Sequence, residues 1–167
     1  MRIVSIDPGG TSGWAAWQEG VLDYGHLEGD HHKKLFDFLC AQTHCQHKNE
    51  WADRNMVIVC ERFDHVSGVA KLDSVEYIGV IKFFQQTYGV QLVLQSRSIK
   101  PGQDKKKGWA SDDKLQACGM LIRPKTKWVH ANDAMRHLMY FGFHNNKAPP
   151  ELRQEILKGL KALTKES

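Results

Sequence analysis

The chain has 167 residues, 41% apolar and 25% charged, with a formal net charge of +4 and nine histidines outside that sum. This is enough for one domain with a sizeable core, and the composition excludes a disordered tail or a fibre. No apolar run approaches the roughly 20 residues a membrane span needs, and the first residues leave no room for a targeting peptide, so an intracellular, cytoplasmic protein with no membrane attachment is expected.

Residues 2–7 predict a strand that ends at Asp7. The run Pro8-Gly9-Gly10-Thr11-Ser12-Gly13 follows as a turn. Residues 14–17 and 21–27 predict two more strands joined by Gln18-Glu19-Gly20 as a hairpin. Residues 31–46 predict a helix with Leu35, Phe36, Leu39 and Cys40 on one face. Met56-Val57-Ile58-Val59-Cys60 is a continuous apolar run of strand length, as in a strand covered on both faces, and it ends at Glu61. A helix over 72–87 and a strand over 90–94 follow. Residues 96–110 have loop composition. Ser111 is an N-cap for a third helix, with Asp112 and Asp113 in its first turn and Leu115, Cys118 and Ile122 as its buried stripe. A fourth helix covers about 131–143. A fifth starts at Pro150, with Leu152, Ile156, Leu160 and Leu163 on one side.

The order β-β-β-α-β-α-β-α-α-α predicts an α/β domain with a mixed sheet flanked by helices. Residues 1–145 form the domain, and 146–167 a C-terminal amphipathic helix packed on it or extending it. The four cysteines, Cys40, Cys45, Cys60 and Cys118, include no Cys-x-x-Cys pair. An intracellular setting disfavours disulfides. The spacing of Cys40, His44, Cys45 and His47 fits no common zinc pattern. Cys60 and Cys118 read as small core residues.

Asp7 and Glu61 each stand at the carboxyl end of an apolar strand, where open α/β sheets place their ligands. Acids commonly end strands, so neither residue alone carries weight. If the two strands are neighbours the carboxylates converge, and a divalent cation then relieves their repulsion. His130 and Asp133 are three apart at a helix start and share a face, with His137 four further on. A polar helix cap is the ordinary alternative for that pair.

Taken together, an acid ending the first strand, a second ending the central apolar strand and a late His-x-x-Asp-Ala element resemble RNase H-like nucleases, the RuvC-type Holliday junction resolvases above all. The resemblance runs over residues 2–143 and includes Ile6-Asp7-Pro8-Gly9 with Gly13-Trp14 after it. It implies an RNase H-like fold with a mixed five-stranded sheet. It also implies a crossover-junction endodeoxyribonuclease using two Mg²⁺ or Mn²⁺ ions held by Asp7, Glu61, His130 and Asp133, leaving 5′-phosphate and 3′-hydroxyl ends. A histidine among the donors favours Mn²⁺ somewhat. Lysines between the last strand and the third helix contact phosphates in that family, which points to Lys105, Lys106, Lys107 and Lys114. The junction-wedging aromatic of the family falls on Phe63, one residue nearer the second acid than the familiar spacing, with core packing as the other reading. The family dimerises through the helix after this loop, where Val75, Gly79, Val80 and Phe83 stand. The implied partners are a four-way DNA junction and a second copy of the chain.

Other readings remain. A nuclease of the same fold acting on flaps, forks or other branched DNA is separated by substrate preference. A non-catalytic junction-binding protein is separated by metal-dependent cleavage. Asp7-x-Gly9-x-Thr11 resembles the first phosphate loop of sugar-kinase and actin-like ATPases, but that fold needs two such domains and this chain is too short for both.

Overall fold

The computed structural model describes residues 1–28, 31–43, 55–62, 72–100 and 109–165. Five strands form one sheet in the order β3-β2-β1-β4-β5: β1 Arg2–Asp7, β2 Ser12–Gln18, β3 Val21–Leu27, β4 Met56–Glu61 and β5 Gln91–Gln95. The hairpin strands β1, β2 and β3 pair antiparallel, whereas β4 lies parallel to both β1 and β5. The helices are α1 His31–Thr43, α2 Leu72–Tyr88, α3 Asp112–Ala117, α4 Val129–His144 and α5 Pro150–Lys165. This is the expected mixed five-stranded sheet flanked by helices. Among the described residues no helix is long and apolar enough to cross a membrane.

Most element boundaries fall within two residues of expectation, and the differences have local causes. The β2 strand begins at Ser12, inside the expected turn, because pairing with β1 runs on to Asp7↔Gly13. The β2–β3 turn is carried by two residues, Glu19 (φ 52°) and Gly20 (φ 81°). Both positive angles suit the right-handed twist of a tight hairpin, and glycine takes its angle without strain. Residues Arg97–Ile99, read as loop, form a short 3₁₀ turn capped by Ser96. The α3 helix is shorter than its apolar stripe implied. It keeps the Ser111 cap and buried Leu115, but ends at Ala117, so half-buried Cys118 is its C-cap and buried Ile122 lies beyond it.

Strand alternation divides the apolar side chains between two cores. Ile3, Val57 and Val59 face one core, shared with Ala131, Ala134, Met135 and Leu138 of α4 and Leu152 and Ile156 of α5. Val4, Ile6, Met56, Ile58 and Cys60 face the other, shared with Leu35 and Leu39 of α1 and Ile81 and Phe84 of α2. Both central strands are therefore covered on two faces, which is why β4 is apolar throughout.

The α4 helix begins against the backbone of β2. A Cβ on Gly13 would stand 2.0 Å from the His130 carbonyl carbon and 2.4 Å from the Ala131 nitrogen. Only glycine permits that approach. Gly13→Ala is expected to cost about 2 kcal/mol or more, the upper range for overpacking, since both sides of the clash are backbone. Urea unfolding measures it, and an unchanged midpoint contradicts the close approach.

Candidate active site

The alternation that builds the two cores also aims the acids. Asp7 follows Ile6 and so returns to the face of Ile3. Glu61 returns to the face of Val57 and Val59. Both thus point toward α4. The parallel register Ile6↔Cys60 makes Asp7 and Glu61 the next pair at the carboxyl ends of adjacent strands. One strand further, Gln95 is registered with Glu61. A row of three polar side chains, Asp7, Glu61 and Gln95, therefore crosses three strand ends beneath α4. His130, Asp133 and His137 stand on that helix at i, i+3 and i+7, one face by helical spacing.

The side chain of Lys100, just after the 3₁₀ turn, reaches into this row. Its Nζ is 2.5 Å from Asp7 Oδ1 and 3.3 Å from Asp133 Oδ2, and it forms an ion pair with Glu61 Oε2. All four side chains are mostly buried: 14% exposed for Lys100, 7% for Asp7, 14% for Glu61 and 21% for Asp133. His130, more open, has its Nδ1 2.9 Å from Asp7 Oδ2. Burial pushes the Asp7 carboxyl up, but the bond with His130 and the charge of Lys100 outweigh it and hold the pKa down at about 2. Burial disfavours the Lys100 ammonium, yet the carboxylates of Asp7, Asp133 and Glu61 raise its pKa above the ordinary lysine value. The bond with Asp7 likewise raises that of His130. Among the described residues no group of three or more His, Cys, Asp or Glu stands together as a ready-made metal cage. The ammonium takes the central position.

The helix presents these groups from a fixed base. Asn132, buried, bonds the Ile122 nitrogen at 2.9 Å and donates to the carbonyls of Ile122 (3.1 Å) and Trp128 (3.0 Å), tying the preceding segment to the first turn of α4. Arg136 donates to Asp133 Oδ1 and Asp112 Oδ1, and its Nε donates to the Ala110 carbonyl at 3.2 Å. With Oδ1 engaged, Asp133 turns Oδ2 toward Lys100. Asp112 also holds the exposed Lys125.

The four residues expected as metal donors are thus brought to one place: Asp7, Glu61 and Asp133 around one nitrogen, and His130 against Asp7. Lys114 is not drawn into that group. Its Nζ donates to the Trp109 carbonyl at 2.7 Å and lies over the Trp109 ring, 4.9 Å from its centre. Phe63, Lys105, Lys106 and Lys107, and with them Cys45, His44 and His47, lie outside the described residues. Nothing local marks Lys100, a lysine in a stretch of loop composition, as a site residue. The same holds for Arg136, a buried arginine on a helix, and Gln95, a glutamine at a strand end.

No family model matches the sequence, and no curated protein does. Among solved structures the chain is similar to T. thermophilus RuvC in complex with Holliday junction substrate: 14% identity, TM-score 0.56, over 90% of this chain and 99% of that one. It is similar to another Thermus thermophilus RuvC structure at 16% identity and TM-score 0.48, over 82% and 90% of the two chains. YeaZ from Pseudomonas aeruginosa follows at 13% identity and TM-score 0.41, over 62% and 46%. Only the first of these scores carries weight, and at its low identity it speaks to the fold, which is RNase H-like as in RuvC.

Removing the ammonium leaves three largely buried carboxylates facing one another. Lys100→Met is therefore expected to lose about 3 kcal/mol or more of stability in chelator, as when one partner of a buried ion pair is removed. Equal stability of the variant and the wild-type protein in chelator, read by urea unfolding, contradicts the arrangement.

Proposed function

We propose that this chain is a divalent-metal-dependent endodeoxyribonuclease that resolves four-way (Holliday) DNA junctions. The observation that carries the reading is the convergence of Asp7, Glu61 and Asp133 on one cationic nitrogen at the strand ends, in a fold shared with RuvC. In that relative's structure the bound molecule is a Holliday junction, and the same class of substrate is proposed here.

The donor set fits a divalent cation. Three carboxylates and an imidazole converge where a positive charge is already accommodated, and oxygen donors with one nitrogen suit Mg²⁺ or Mn²⁺. Asp7, Glu61, His130 and Asp133 would hold the pair of ions. Bound there, they supply an activated water and neutralise the charge that builds on the phosphate during cleavage. Asp7, gripped by His130, keeps its carboxylate ionised and fixed in direction. Asp133 keeps one oxygen on Arg136 and offers the other. With those carboxylates on a metal, the Lys100 ammonium would be free to hold a phosphate oxygen at the site. Arg123, Lys125 and Lys127 on the exposed segment before α4 extend the positive surface along the DNA backbone. In the proposal Lys105, Lys106, Lys107 and Lys114 add to that surface, and Phe63 meets the junction itself.

A two-fold pair of chains would set two such sites against two symmetric strands. The α2 helix offers the surface for it. Val75 and Phe83 are 45% and 60% exposed, and Phe36, Gly79, Val80 and Phe83 line a groove between α1 and α2.

Cleavage of a labelled synthetic four-way junction in Mg²⁺ or Mn²⁺, beside a flap, a fork and a linear duplex, tests the proposal. Expected are paired symmetric nicks in the junction, falling about a thousandfold or more in Asp7→Asn, on the scale of losing a principal charge-stabilising group. Equal cutting of flaps and forks would make it a general branched-DNA nuclease. No cutting by folded protein in either metal contradicts the enzyme.

A further inference from the structure

We infer that His137, braced by Gln95, is the positioning residue that sets the Glu61 carboxylate toward the metal centre. This rests on reading Asp7, Glu61, His130 and Asp133 as metal donors.

The imidazole of His137 is completely buried. Its Nδ1 is 2.8 Å from Gln95 Oε1, and its Nε2 is 3.4 Å from Glu61 Oε2. Gln95, the last residue of β5 and itself buried, is the register partner of Glu61. The ring therefore bridges the ends of two neighbouring strands from above, in the third place of the row His130, Asp133, His137. Around it on α4 lie Leu138, Met139 and Phe141, all buried. A ring placed only to fill that core would be cheaper apolar, because a buried polar group costs free energy unless it is bonded.

Glu61 also fixes the direction of the bond. A carboxylate can only accept, so the ring proton belongs on Nε2 and is donated to Glu61. In the neutral ring Nδ1 is then an acceptor, met by the Gln95 NH₂ after a half-turn of the amide, and in the doubly protonated ring Nδ1 also donates, to Gln95 Oε1 as it stands. Among the described residues Glu61 Oε2 has two contacts of this kind, the Lys100 ammonium and His137. If Lys100 were drawn to a phosphate, His137 would still hold the long Glu61 side chain in one direction. Outer partners of this sort orient metal-binding carboxylates in other proteins.

Mn²⁺ binding to the free protein, without DNA, tests this through the electron paramagnetic resonance signal of unbound Mn²⁺. His137→Met matches the ring in bulk and donates nothing. It is expected to weaken binding about 10- to 100-fold, the usual loss for an outer-shell partner, with helical content unchanged by circular dichroism. His137→Gln, whose NH₂ replaces the Nε2 proton, is expected to recover most of that loss. In a Glu61→Gln background His137→Met should cost nothing more. If His137→Met fails to fold, Gln95→Met must still weaken Mn²⁺ binding. Wild-type affinity in folded His137→Met or in Gln95→Met overturns the inference, as does a His137→Gln no better than His137→Met. Loss of an imidazole nitrogen coupling from the Mn²⁺ spectrum of His137→Met overturns it too, by making His137 a direct ligand. A wild-type protein that binds no Mn²⁺ sinks the metal site itself, whereas unaffected variants of a Mn²⁺-binding wild type remove only the role of His137.

Discussion

Three carboxylates sharing one small, largely buried space repel each other unless a cation lies among them. Asp7, Glu61 and Asp133 are in that position, and Lys100 supplies the charge. Much of the local structure follows from keeping this balance. His130 steadies the second oxygen of Asp7, and Arg136 takes the second oxygen of Asp133. A cluster of this kind costs stability when half-paired, a cost that the proposed function accounts for by the metal the acids would hold together.

The fold brings the acids to one face. Alternation along β1 and β4 sends Ile6 and Cys60 to the α1–α2 core and the next residue of each strand to the α4 side. Parallel pairing brings those two strand ends level. Gly13 lets the first turn of α4 lie directly on β2, and Asn132 ties the segment before it in place. From that anchored start, helical spacing delivers His130, Asp133 and His137 in sequence along the row of strand ends. The geometry of the site is set by rigid elements more than by loops. Lys100 is the exception, since it follows a 3₁₀ turn and reaches in from outside.

What the sequence made legible was whatever is encoded locally. Asp7 and Glu61 could be picked out because apolar runs announce strands and the acids end them, and His130 and Asp133 because helical spacing puts them on one face. The layered α/β architecture followed from the order of those same runs. Lys100 and Gln95 were not legible as site residues, because each acquires its partner across a long separation in the chain, and although Arg136 meets Asp133 one turn away on its own helix, its bond to Asp112 spans 24 residues. Lys100 finds Asp7 from 93 residues away and Gln95 finds His137 from 42. The α3 stripe was overread because Leu115 and Ile122 are both buried, yet the chain turns at Gly119 (φ 68°) between them. Lys114, read with the stretch leading into the third helix, lies inside α3, and its aim toward Trp109 depends on a contact that spacing does not encode. The roles given to Phe63 and to Lys105, Lys106 and Lys107 concern segments outside the described residues.

The most direct test of the central claim, that these acids form a divalent-metal centre closed by Lys100 in the absence of metal, is anomalous diffraction at the manganese edge from crystals grown with Mn²⁺. Expected is a peak bounded by Asp7, Glu61, His130 and Asp133, with the Lys100 ammonium withdrawn from all three carboxylates. Density for Lys100 still paired with Asp7 and Glu61, with no anomalous peak between them at saturating Mn²⁺, contradicts it.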